Sequence, residues 1–68
     1  MTRDEWSRAA RAALILRDEK VDEMAKSILY SVSAVRAVLN GTVRSKRIEN
    51  AISAHLGIDA PADWRAEA

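Results

Sequence analysis

Sixty-eight residues make one domain, and a chain this short buries only about 60% of its unfolded surface, which excludes a catalytic domain with a deep substrate pocket. Cysteine is absent and His55 is the single histidine, so disulfides, thiolate centres and a histidine-built zinc site are excluded as well. The net charge is only +1, yet residues 36–47 gather Arg36, Arg44, Lys46 and Arg47 with no acid among them, and such clustering says more about partners than the total does.

Thr2-Arg3-Asp4-Glu5 has the form of a capping box, a hydroxyl at the cap and a carboxylate three residues on. Trp6, Ala10, Ala13 and Leu14 then recur at helical spacing, which predicts helix 1 from about Arg3 to Leu16 or Arg17. Arg17 to Lys20 is a charged break in which Asp18 is suited to cap the next helix. Val21, Met24, Ala25 and Ile28 predict a short helix 2. Ser31 is the next N-cap, and Val35, Val38 and Leu39 make the inner face of helix 3. Asn40-Gly41 ends that helix, with Gly41 suited to a left-handed backbone. Ser45 caps helix 4, whose stripe is Ile48, Ala51, Ile52 and Leu56, and Gly57-Ile58 closes it. The tail 59–68 holds Pro61 and Trp64 and either adds one more turn or frays.

The sum is an all-α fold, a compact bundle of four short helices over residues 1–58 followed by a C-terminal tail. The longest uninterrupted apolar run, Ala12 to Leu16, is far too short to span a bilayer. The acidic N-terminus lacks the apolar core of a signal peptide. These features lead us to expect a soluble, cytoplasmic protein.

Helices 2 and 3 have the spacing of a helix-turn-helix. Met24-Ala25 lies inward, Ile28 comes three residues after Ala25, Tyr30 sits in the turn, and Val35 and Val38 come ten and thirteen residues after Ala25. The stretch Met24 to Gly41, continued by "VRSKRIENAISAHLGI", resembles the small phage-type repressor domains related to the lambda repressor fold. It is most similar to the short Ner-like regulators of transposing phages and prophages. The resemblance covers about residues 8–58 and implies that helix 3 enters the major groove of double-stranded DNA.

Independently, helical geometry with Val35, Val38 and Leu39 inward places Ser33, Arg36, Ala37 and Asn40 outward. Arginine takes two acceptors on guanine, asparagine pairs with adenine, and Ala37 or the nearby Val32 can touch a thymine methyl. Ser31, Thr42, Arg44, Ser45, Lys46 and Arg47 are then the expected phosphate contacts, helped by the N–H groups that open helix 4.

Two positions depart from the family pattern. Leu29 stands where the turn usually has glycine. A left-handed backbone there costs a non-glycine residue roughly 1 kcal/mol, which favours a turn of another shape. Asp22 and Glu23 put two carboxylates at the start of helix 2, the end that approaches a phosphate in this fold.

Plainer roles stand beside these. Ser31 is first of all a helix cap. Tyr30 is a partly buried turn residue, and Trp6 and Trp64 pack on the bundle or on a second subunit. His55 is a core-edge residue. Glu19 and Glu23 form an acidic pair with no base, nucleophile or metal partner beside them, so neither an enzyme nor a cofactor is expected. The leading expectation is a sequence-specific DNA-binding regulator of phage or mobile-element type, nucleoid-associated, a repressor acting by operator occupancy as a homodimer on a two-fold site. The alternative is a small helical protein-binding module on the same fold, an antirepressor or a host-factor-masking protein, favoured by Asp22, Glu23 and the apolar Val32 and Ala37.

Overall fold

The structure, a computed structural model, describes residues 1–62. Four helices succeed one another: α1 (Arg3–Leu16), α2 (Val21–Ile28), α3 (Val32–Asn40) and α4 (Lys46–Leu56). No strand occurs among the described residues. The four-helix, all-α architecture agrees with the hydrophobic periodicity. Trp64 and the end of the tail lie outside the described residues. Residues 58–62 add no helix; Pro61 is buried, and the Ala62 N–H donates to the Met1 carbonyl at 2.7 Å.

Each helix start obeys its local chemistry. The Thr2 hydroxyl accepts from the Glu5 N–H at 3.2 Å, and the Glu5 carboxylate accepts from the Thr2 N–H at 2.8 Å, a complete capping box. Ser31 and Ser45 cap α3 and α4 by accepting from the Ala34 and Ile48 N–H groups. Asp18 does not cap α2. Lys20 occupies the N-cap position, and only the returning half of a box is made, from the Lys20 N–H to Glu23.

All four helices end on a left-handed residue: Asp18 (φ 52°), Leu29 (φ 64°), Gly41 (φ 83°) and Gly57 (φ 70°). After α1, α2 and α3 the next two N–H groups turn back onto the last carbonyls, for instance Glu19 to Leu14 and Tyr30 to Ala25. Aspartate is among the residues that visit this backbone most readily, having a short polar side chain able to bond locally. Leucine has no such compensation, so the turn between α2 and α3 keeps the glycine-type shape with a residue that strains it. Leu29 is 90% exposed and recovers nothing by packing. The expectation of a different turn shape at Leu29 is therefore corrected.

The core joins all four helices through Trp6, Ala10 and Leu14 from α1, Met24 and Ala25 from α2, Val35, Val38 and Leu39 from α3, and Ile52 and Leu56 from α4. Ile48 and Ala51 lie only at its edge, and the buried positions of α4 include Glu49 and Ser53. The Trp6 indole N–H donates to the Ser53 hydroxyl at 2.8 Å, which in turn donates to the Glu49 carbonyl at 2.7 Å. These bonds satisfy an indole that burial alone would leave unpaired.

Candidate nucleic-acid interface

Side chains of α1 reach the C-terminal end of α3. The helix is held from within by Val35, Val38 and Leu39. Its C-terminal end is held by α1: Arg3 donates to the Val38 and Leu39 carbonyls, and the Ser7 hydroxyl donates to the Leu39 carbonyl at 2.8 Å. These bonds fill acceptors that a helix end otherwise leaves open. Gly41 suits this end because its φ is positive, and a Cβ on it would come within 2.8 Å of the Arg3 guanidinium carbon and displace that side chain from the carbonyls.

With α3 so fixed, Ser33, Arg36 and Asn40 are exposed, as helical geometry requires. Val32 and Ala37 are half-buried, and Val32 packs on the core, so its surface is only partly available for a methyl contact. The Asn40 side-chain oxygen already accepts from Arg11 of α1 at 2.7 Å. Arg11 thus adds an exposed cation to the face, a residue the sequence pattern does not point to because it lies on another helix.

The basic loop divides. Thr42, Lys46 and Arg47 are exposed, the last two in the first turn of α4. Ser31 is exposed and spends its hydroxyl on its cap. Arg44 turns to Glu49, donating from Nε at 3.0 Å and from Nη2 at 3.2 Å to the two carboxylate oxygens. The Glu49 side chain is fully buried while Arg44 keeps about a third of its surface, 34%. Ser45 adds its backbone N–H to Glu49 at 3.2 Å. A buried carboxylate persists only when paired and hydrogen-bonded, and Arg44 and Ser45 meet that need here. Arg44 therefore holds the fold, and the opening of α4 already has a carboxylate beside it.

The surroundings of Arg36 are mixed in sign. It lines one cleft together with Arg11, Lys20, Asp18, Glu19 and Asp22. Glu19 is engaged by Arg17 at 2.9 Å and by His55 Nε2 at 2.7 Å. Because the carboxylate can only accept, Nε2 carries the proton in that bond. Partial burial pushes the Glu19 carboxyl up, but the hydrogen bonds from Arg17 and His55 outweigh it and hold it below the usual carboxylate range. His55 is thus at the core edge and ties α4 to the turn between α1 and α2.

Of the positive charge of residues 36–47, the part on Arg44 is taken up within the fold. Arg36, Lys46 and Arg47 point outward, Arg44 is committed to Glu49, and acids share the cleft beside Arg36. Among the described residues no group of His, Asp and Glu is placed to hold a metal ion, and no helix is long and apolar enough to cross a membrane. Comparison with protein-family models, with curated proteins and with solved structures finds no match to this chain.

Proposed function

We propose that the protein is a DNA-binding regulator of the phage-repressor type that the sequence resembles. The observation carrying this reading is the exposed row Ser33, Arg36 and Asn40 on the second helix of a tightly turned pair, with Lys46 and Arg47 exposed where the next helix begins. In this reading α3 lies in the major groove, Arg36 and Asn40 read base edges, and Lys46 and Arg47 hold phosphates. Repression then results from occupying an operator.

The test is selection of bound duplexes from a random pool, with affinity measured as salt is varied. With Arg44 committed inward, two to three cationic phosphate contacts give a log–log salt slope of about −2 to −3. Arg36→Ala relaxes base preference, whereas Lys46→Ala or Arg47→Ala weakens binding to all sequences and flattens the slope by about 1. A flat salt response with no enriched sequence overturns the proposal.

One observation favours a second reading, a protein-binding module: Asp18, Glu19 and Asp22 line the cleft beside Arg36. Asp22→Asn separates the two. It strengthens DNA binding by removing a repelling carboxylate, and it weakens docking of a basic protein segment.

A further inference from the structure

Arg3, Ser7 and Arg11 stand four residues apart and form one stripe of α1 that faces the end of α3. Arg3 and Ser7 bond the last carbonyls of α3, and Arg11 reaches the side chain of Asn40, the final residue of that helix. The buried side chains of Trp6, Ala10 and Leu14 hold α1 in this place. Arginine has only donors, so at 2.7 Å it is the amide oxygen of Asn40, and not the nitrogen, that faces Arg11. The Asn40 amide nitrogen keeps two donors turned away from that bond. Arg11, Arg36 and Asn40 line one hollow with Val21 and Leu39, and among the described residues no acid lines it.

We propose that Arg11 is a positioning residue for base readout, one that turns Asn40 from a reader of adenine into a reader of guanine. The inference rests on the DNA-binding reading above and names the base that reading leaves open. An unengaged asparagine amide pairs with adenine by accepting from N6 and donating to N7, and so needs its oxygen. Here a cation occupies that oxygen. Its second lone pair lies beside the guanidinium, whose charge repels the hydrogens of the N6 amino group. Guanine presents no amino group on its major-groove edge. Its O6 and N7 are both acceptors, which suit two amide N–H groups set next to a cation. Arg36 also takes two acceptors, so the two polar readers of α3 favour the same base.

Selection from a random duplex pool tests this on the native chain, Asn40→Ala and Arg11→Ala. Both substituted side chains are exposed, so the helical circular dichroism stays unchanged. The position whose preference Asn40→Ala relaxes is the one that Asn40 reads. The native chain selects guanine over adenine there by about tenfold. Arg11→Ala frees the oxygen and removes or reverses that preference, while the position read by Arg36 keeps its own. Adenine at the Asn40 position of the native chain overturns the proposal and leaves the DNA-binding reading standing. So does the absence of any position that Asn40→Ala relaxes, and so does an Arg11→Ala that only weakens all sequences alike, which makes Arg11 a phosphate contact. A native chain that enriches no sequence overturns both. The pair is also read without DNA: in nuclear magnetic resonance of the free chain, Arg11→Ala shifts the side-chain amide signals of Asn40. Signals that stay in place overturn the proposal whatever the selection shows.

Discussion

The docking of α4 and the outward face of α3 are made from the same residue types, arginine, serine and a polar partner, and they use them oppositely. At α4 the chain turns them in: Arg44 and Ser45 close on Glu49, and Ser53 closes on Trp6. On α3 Ser33, Arg36 and Asn40 stay at the surface, with Arg11 from α1 touching the last of them. A positive charge in the sequence is thus no guide to function until its partner is known. Where a buried carboxylate lies within reach, the arginine belongs to the fold; where only solvent and exposed acids surround it, it is available to a ligand.

Substitutions sharpen this contrast. The largest loss is expected for Arg44→Ala, which leaves a buried carboxylate without its cation. Breaking such a pair costs about 3–5 kcal/mol, and the partial exposure of Arg44 puts the loss near the lower end, as chemical denaturation would measure. Adding Glu49→Leu to Arg44→Ala recovers part of it, because the carboxylate goes too. Ser53→Ala removes the acceptor of the buried Trp6 N–H and costs about 1–3 kcal/mol. Leu29→Gly acts in the other direction. Relief of the left-handed backbone exceeds the added freedom of the unfolded chain, for a gain of about 0.5–1 kcal/mol. Arg36→Ala leaves stability within about 0.5 kcal/mol, since the exposed side chain is not part of the packing.

The smallest effect is a pH dependence at Glu19. Its carboxyl titrates lower in the folded protein than in the unfolded chain, so its contribution is complete above the ordinary carboxylate value and is lost as pH falls through the depressed folded value. A melting-temperature series through the acid range shows the decline, and His55→Gln, which replaces an imidazole donor by an amide, makes it shallower.

Helix positions and most caps are legible in the sequence because they rest on residues three or four apart: Thr2 with Glu5, Ser31 with Ala34, Ser45 with Ile48. The outward set on α3 is legible for the same reason. Glu49 and Ser53 are not, because a carboxylate and a hydroxyl on a helix ordinarily face water, and only the third dimension supplies Arg44 and Trp6 on the buried side. Arg11 beside Asn40 and His55 on Glu19 join separate elements, which no local spacing reports. Leu29 and Asp18 show the reverse limit: the helix-ending geometry is strong enough to impose a left-handed residue where no glycine stands.

The sealing of α3 by α1 also has a consequence in time. The α2–turn–α3 unit can close from neighbouring residues, whereas the last carbonyls of α3 wait for Arg3 and Ser7, 36 and 32 positions away in sequence for the Leu39 contacts. Contacts of that separation come late in folding when local pairs form first. Ser7→Ala is therefore expected to speed unfolding far more than it slows refolding, which stopped-flow kinetics would resolve. The end of α3 that carries Asn40 is then the part of that helix released first whenever the amino-terminal turn opens.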